Sequence, residues 1–398
     1  QDNWWVGVVA LLASLAATPI MRLIAYRTKL VDRPNFDKFG LKPHARPVAY
    51  LGGVAMCFGL LAGLAGYAAV MPNRVSNWNN LCEALASGRF VLLMRNPLWN
   101  LMAIALASVL ITIVGLLDDA LEIKPRVKVL GQVSAAAVLL AGGVGHGMAG
   151  MFLRHLHISM PPVWVLTSLS FLICIIMVIA ACNATNLLDG LDGLCGGVTG
   201  IVALGFLALA VYLATYGHFE DDADPLRVGL SLAMAGAVLG FLPYNIPPAS
   251  IFMGDAGSML LGFFVATMMA LFCTEGHARF FVAACAVFAL PILDTALAVV
   301  RRVLAGRNIF TGDRSHLYDQ LVDRGMTVKQ VVGLFYVLAA ATALMGVLAA
   351  IMLRGRQAVA IYAILLVVIW TIFYVLGMIT PSPRGPKLPD KDAGSEDR

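Results

Sequence analysis

VWVLTSLSFLICIIMVIAACNATNLLDGLDG, residues 163–193, runs from an apolar segment straight into two asparagines and two aspartates with no loop between them. An apolar run of about 20 residues is the length at which an α-helix crosses the hydrocarbon of a bilayer. Backbone groups in lipid must be paired within their own segment, so such a run is helical. Its polar end then stands at a membrane boundary, where carboxylates and amides can meet water, cations or a ligand.

The rest of the chain repeats the pattern. Of 398 residues, 60% are hydrophobic and only 13% charged, against roughly 25% charged in soluble domains. Porin-like alternation is absent, so the expected class is all-α, a polytopic membrane protein. Apolar runs place spans near 4–25, 49–70, 98–117, 129–147, 162–182, 194–216, 227–243, 256–274, 279–300, 329–353 and 358–379, about eleven crossings. Residues 1–379 read as a single transmembrane domain, and the Pro-rich, charged tail 380–398 as disordered. The chain begins with Gln1, and its first apolar run is long enough to remain as a span, so no separate cleavable signal is expected.

The segment after the first span carries Arg27, Lys29, Arg33, Lys38, Lys42 and Arg46 against two aspartates. An excess of Lys and Arg marks the cytoplasmic side. With eleven crossings the N-terminus lies outside, and loops 118–128, 183–193, 244–255, 301–328 and the tail are cytoplasmic. The acidic loop 218–227 falls outside, and the outer loop 71–97 is mildly basic. The net charge of +5 is spread over many short loops, leaving no basic stripe for nucleic acid. Seven cysteines without a CxxC pair, five of them (Cys57, Cys174, Cys182, Cys273, Cys285) in or beside apolar runs, read as small buried hydrophobes.

Four polar clusters from distant parts of the chain thus share one face. Asp118 and Asp119 end an apolar run; alone, the pair is no more than a helix end reaching the interface. In NATNLLDGLDG, Asn186, Asp189 and Asp192 recur at three-residue spacing and can share a face of a helical turn. A helix cap accounts for one of them but not for all three together with Asn183. In FMGDAGS, Gly254, Asp255, Gly257 and Ser258 open the next apolar run. Such a helix N-terminus offers N–H groups to phosphate, and Asp255 can hold a divalent cation bridging to it, although an N-cap needs neither. Asn245 and Phe252 lie just upstream, the latter able to stack on a base. Asp313, Arg314 and His316 lie in the longest cytoplasmic loop of the second half, with groups that fork onto phosphate or carry a proton.

Oxygen donors without paired His or Cys at zinc spacing point to magnesium, with manganese as the alternative. Metal-assisted phosphoryl transfer at a membrane surface is the matching chemistry. The sequence has neither GxxxxGK[ST] nor HExxH, which disfavours a P-loop ATPase and a zincin-like protease.

Taken in order, VDRPNFDKFGLKPHARPVAYLGG, GLLDDALEIK, NATNLLDGLDG, PYNIPPASIFMGDAGS and DTALAVVRRVLAGRNIFTGDRSHLYDQL resemble the polyprenyl-phosphate N-acetylhexosamine-1-phosphate transferases. This bacterial family includes phospho-MurNAc-pentapeptide translocase and the initiators of O-antigen and teichoic-acid synthesis. The resemblance covers most of the chain. It implies transfer of a sugar 1-phosphate from a UDP-sugar to undecaprenyl phosphate in the bacterial cytoplasmic membrane, with release of UMP. It further implies catalytic roles for Asp118, Asp119 and His316, with Asp118 orienting or deprotonating the lipid phosphate, and a magnesium-ligand role for Asp255. Substrate contacts are implied at Asn183, Asn186, Asp189, Asp192, Asn245, Phe252, Gly254, Ser258 and Arg314. A homodimer is the assembly it allows for.

The chain departs from the family at two places. Where relatives show a histidine-rich run, His316 is followed by Leu317, Tyr318 and Asp319, and RPVAYLGG lacks the Pro that relatives often carry nearer the Gly pair. The DRxH form is more similar to the branch that uses UDP-N-acetylglucosamine than to the branch that uses the pentapeptide-bearing muramyl nucleotide. Two other classes compete. An intramembrane magnesium-dependent prenyltransferase would carry paired NDxxDxxxD-like motifs and leave GDAGS and DRSH unexplained. A transporter would place its charges near the midplane of the spans.

Overall fold

In the computed structural model the described residues are 3–32, 47–71, 73–216, 224–273, 278–304, 306, 316–353, 355–375 and 377. The chain runs α1 (Trp4–Thr28), β1 (Val31–Asp32), β2 (Val48–Ala49), α2 (Gly52–Val70), α3 (Arg74–Ser87), α4 (Phe90–Met94) and α5 (Pro97–Leu121). It continues with α6 (Pro125–Ala141), α7 (Met148–His155), α8 (Val163–Leu188), α9 (Leu194–Tyr216), α10 (Asp224–Asn245) and α11 (Gly254–Leu271). The last elements are α12 (Ala278–Val287), α13 (Ala289–Leu304), α14 (Leu317–Asp323), α15 (Val328–Met352) and α16 (Gly355–Val375). The all-α expectation holds apart from one small antiparallel pair, in which Val31 faces Ala49 and Asp32 faces Val48.

Among the described residues, eight helices are long and apolar enough to cross a membrane, and the α12–α13 pair, bent by 72°, makes a ninth if taken as one span. Two of the eleven expected runs fall outside this count. For 129–147, the helix α6 has 17 residues, about 26 Å at ~1.5 Å per residue against ~30 Å of hydrocarbon. Beyond it the chain turns, with Gly143 and Gly145 at positive φ. For 358–379, the apolar portion within α16 is only Ala360–Thr371. The outer loop 71–97 is also no plain loop, since it holds α3 and α4.

Helix α11 is the axis of the bundle. Every side chain from Ala256 to Leu271 is buried, because α2, α5, α8, α9, α10 and α12 all pack on it. Such a helix is apolar all round, as its sequence GDAGSMLLGFFVATMMAL is after the first turn. Close approach to its N-terminus needs small residues: a Cβ at Gly115 of α5 would lie 2.5 Å from the Ala256 backbone. Helix α5 starts with Pro97 behind Asn96, whose side chain accepts from Leu98 and Trp99 N–H groups, and ends at Glu122 in the left-handed region. Helix α8 outlasts the lipid run by two turns, so Asn183 to Leu188 are still helical.

These elements bring the C-terminal ends of α5, α8 and α10 and the N-terminal ends of α2 and α11 to one end of the bundle. Residues 49–53 run beside 251–253 there: Phe252 N–H donates to Ala49 O (2.8 Å), and Gly52 and Gly53 N–H donate to Phe252 O (3.0 Å) and Met253 O (2.9 Å).

Candidate active site

Asp119 closes the junction of α5 and α11. Its Oδ1 accepts from Asp255 N–H (2.8 Å) and its Oδ2 from Ala256 N–H (3.1 Å). A carboxylate on the first turn satisfies two otherwise orphan donors and complements the positive end of the helix dipole. Gly254, at φ +66°, carries the chain into this turn, and a Cβ there would meet Asp119 Oδ2 at 2.5 Å.

Asp118 points the other way along the same turn. Its Oδ2 and the Oδ2 of Asp255 both hold the Nζ of Lys128, from the second turn of α6. Asp255 Oδ1 accepts from Asn186 Nδ2 (2.8 Å), which also lies 3.0 Å from Ser258 Oγ. Thr185, beside Asn186 on α8, donates to Ser258 O (2.7 Å) and locks α8 to α11. Asp118, Asp119, Asn186, Asp255, Ser258 and Gly254 are thus one constellation, assembled from three helix ends and centred on a lysine.

The remaining residues of NATNLLDGLDG do not share one helical face as expected. Helix α8 ends at Leu188, with Asp189 as its C-cap, and a turn containing Gly193 at φ +76° follows. Asp189 is crowded by protein and by the carboxylates of Asp255, Asp119 and Asp192, and burial followed by those charges pushes its pKa well above the usual carboxylate range. Asp192 Oδ2 accepts from Ala249 N–H (2.8 Å). Asn245 is buried, accepting from Gly193 N–H (3.1 Å) and donating to Ile251 O (3.0 Å), so it ties two loops together. Asn183 is exposed and bonds to its own helix at Ile179 O, away from the constellation. Phe252 is half-buried, with its ring 6.1 Å from that of Tyr50. Arg314 lies outside the described residues, as do the tail 380–398 and most of the early basic segment.

His316 precedes α14. Its Nδ1 is 2.8 Å from Asp294 Oδ2, and Leu317 N–H donates to Asp294 Oδ1 (2.8 Å). The ring stacks on Tyr318, with centroids 5.6 Å apart and planes 7° from parallel. Tyr318 in turn donates to Leu187 O (3.1 Å), one residue from Asn186. The histidine is therefore tied to the end of α8 through Tyr318, with Nδ1 committed to Asp294.

Three of these residues were missed by the motif reading. Lys128 carried a signal, a lysine ten positions after the acidic pair and inside the next apolar helix. Asp294 carried another, a lone carboxylate in the apolar run ALPILDTALAVV, where an ionisable group is functional by default. Tyr318 carried none, because its part depends on the fold bringing α14 to α8.

Among the described residues no group of three or more His, Cys, Asp or Glu forms a ready metal cage. The donor chemistry still fits a hard divalent cation. The converging ligands are carboxylate and amide oxygens, and Asp118 and Asp255 already hold a cationic group between them.

The glycosyl transferase family 4 model matches residues 101–273, the stretch from α5 to just past α11 that supplies every member of the constellation. The chain is 31% identical over 349 residues to a decaprenyl-phosphate N-acetylglucosaminephosphotransferase of Mycobacterium leprae, covering 83% of this chain and 79% of the relative. It is 28% identical to a probable undecaprenyl-phosphate N-acetylglucosaminyl 1-phosphate transferase of Bacillus subtilis, over 83% and 80% of the two chains. It is also 29% identical to the undecaprenyl-phosphate alpha-N-acetylglucosaminyl 1-phosphate transferase of Haemophilus influenzae, over 85% of each.

Proposed function

The chain belongs to glycosyl transferase family 4, and from that premise we infer that it transfers an N-acetylhexosamine 1-phosphate from a UDP-sugar to a polyprenyl phosphate at the α5–α8–α11 junction. The observation that carries the site is the lysine ammonium held jointly by Asp118 and Asp255, beside an α11 N-terminus fixed by Asp119. The donor is UDP-N-acetylglucosamine, the sugar in the relatives' names. The acceptor is undecaprenyl phosphate, and the lipid diphospho-sugar formed initiates a cell-envelope polysaccharide. UDP-MurNAc-pentapeptide or another UDP-N-acetylhexosamine is the alternative donor.

A phosphate monoester has a second pKa of about 6, so the lipid phosphate is largely dianionic at pH 7. It attacks the β-phosphorus of the UDP-sugar directly. A P–O bond forms to the lipid phosphate as the anhydride bond to UMP breaks, and UMP leaves with the electron pair. Lys128 meets the negative charge that develops on the phosphoryl oxygens, and Asp118 and Asp255 aim it. Asp119 holds the α11 N-terminus in register, and Asn186 and Ser258 fix the orientation of Asp255. His316, oriented by Asp294, presents Nε2 to a phosphate oxygen. Asp255, with Asp118 beside it, would hold magnesium or manganese, which would supply neutralisation of the diphosphate charge.

In the membrane, α5 and α8 both end at the site, so α6 carries the chain back between them. With α6 and α16 added to the eight spans and the bent pair, the count reaches eleven. The N-terminus is then outside, and the site and C-terminus are on the cytoplasmic side of the bacterial inner membrane. Residues 1–379 form one transferase domain, with 380–398 as its tail.

The test is transfer of labelled sugar from UDP-N-acetylglucosamine into butanol-extractable lipid by purified protein with undecaprenyl phosphate and magnesium. Chelator-sensitive labelling with stoichiometric UMP release is the expected result. Labelling only from another UDP-sugar reassigns the donor, and failure with every donor and with both undecaprenyl and decaprenyl phosphate overturns the reading. UMP exchange into UDP-sugar without lipid acceptor would instead indicate a phosphoryl-aspartate on Asp118.

A further inference from the structure

Helices α3 and α4 lie between the C-terminal end of α2 and the N-terminal end of α5, the ends opposite Gly53 and Asp118. They therefore sit at the far end of the bundle from the carboxylates. At 100° per residue, Asn73, Asn77, Asn80 and Glu83 fall on one side of α3, and Val75, Trp78, Cys82 and Leu85 fall on the other. The polar set lines a cavity of about 520 Å³ completed by Tyr67, Arg95 and Pro225 among others. Val75, Trp78 and Leu85 face outward, 74%, 57% and 53% exposed. Rotation of α3 is fixed by Leu81 and Ala84, which cluster with Leu93 of α4 against Leu98 and Trp99. The two faces are thus not interchangeable, and α4 extends the apolar one with exposed Phe90 and Val91.

Two observations identify the partner of this face. The flanking spans expose Val70, Met102 and Leu106, so the apolar surface of α3 and α4 continues the lipid-facing surface of α2 and α5. Residues 73–96 also carry three arginines (Arg74, Arg89 and Arg95) against one glutamate (Glu83), a surplus that suits phospholipid phosphates. We propose that α3 and α4 are interfacial helices seated in the leaflet opposite the carboxylate cluster, with Val75, Trp78, Cys82 and Leu85 among the acyl chains and the arginines at the headgroups. Trp at this boundary and cations above it are the composition of such elements. The seat fixes the far end of α5, and through its 25 residues it sets the depth at which Asp118 and Asp119 stand.

Cys82 is a natural probe of the stripe, being the exposed cysteine among six that are buried or half-buried. A nitroxide is attached to it in the full chain reconstituted into phosphatidylethanolamine and phosphatidylglycerol vesicles, with Cys82→Ser as the labelling blank. Collisions with oxygen are expected to exceed those with a water-soluble nickel chelate. The order should reverse for a label at position 80 in the Asn80→Cys, Cys82→Ser chain. Chelate-dominated relaxation at Cys82, equal behaviour at the two positions, or protection of Cys82 from both reagents, as a protein partner would give, overturns the proposal.

Discussion

Asp119 grips the backbone N–H groups of Asp255 and Ala256 with its two carboxylate oxygens, at 2.8 and 3.1 Å, while its neighbour Asp118 bonds Lys128. Adjacent carboxylates thus do different work, one building the helix junction and the other holding the lysine.

Asp119→Asn replaces one acceptor oxygen with an NH2 group facing an N–H donor. Charge-assisted hydrogen bonds contribute about 1.5–3 kcal/mol each, so the variant should lose a few degrees of thermal midpoint as well as turnover. Asp118→Asn should lose turnover with the midpoint nearly unchanged. Equal melting of the two variants, measured in the same detergent, would show that the division of labour is wrong.

Lys128→Met leaves Asp118 and Asp255 facing each other without their cation. Turnover should drop at least about a hundredfold, the scale on which loss of a preorganised charge acts. Manganese affinity, titrated by its electron-spin signal, should rise because the ammonium no longer competes for the two carboxylates. Weaker manganese binding in the variant would mean that the metal does not share those oxygens.

Asp294→Asn keeps an acceptor for Leu317 N–H but weakens the hold on His316 Nδ1. Turnover should fall by roughly tenfold to a hundredfold with little change in KM for the UDP-sugar, as expected when an orienting group is lost. Asp294→Glu should recover part of it. A rise in KM alone would assign Asp294 to donor binding instead.

The pKa of Asp189 is raised in the folded chain by burial and by its carboxylate neighbours. The unfolded chain therefore releases this proton first, near pH 4. Stability then declines as pH rises from there toward the folded value, and levels off above it. In metal-free protein the thermal midpoint should follow that slope, magnesium should oppose it, and Asp189→Asn should flatten it. A midpoint that rises with pH over this interval in the native chain but not in Asp189→Asn would contradict the sign.

Gly254→Ala places a Cβ 2.5 Å from Asp119 Oδ2 at a residue with φ +66°. Left-handed backbone alone costs about 1–2 kcal/mol for an alanine. The variant should melt below the native chain and respond weakly to further substitution of Asp119, because the contact is already disturbed. Additive losses in the double variant would place the two effects apart.

The sequence disclosed the membrane class, the apolar runs and the side-chain types of the site, because those rest on hydropathy and on carboxylates that lipid does not tolerate. The end of α8 was not legible in the same way. Three-residue spacing suggested one face for Asn186, Asp189 and Asp192, but the turn around Gly190 and Gly193 separates them, and of the three it is Asn186 that hydrogen-bonds Asp255. The motif marks Asn245 as a ligand contact but gives no sign that its amide joins Gly193 to Ile251. The bonds from Asn186 to Asp255 and from Gly193 to Asn245 span 69 and 52 positions, and no local pattern encodes them. Composition extends the run to 129–147, but it does not register that glycines turn the chain after Ala141, so the helix there has 17 residues.

Asp294 bonds both the ring of His316 and the backbone of Leu317. One buried carboxylate on α13 therefore sets both the direction of the imidazole and the point where α14 begins. The ring and the helix behind it are thereby coupled into a single piece, so that any shift of α13 is passed to both at once.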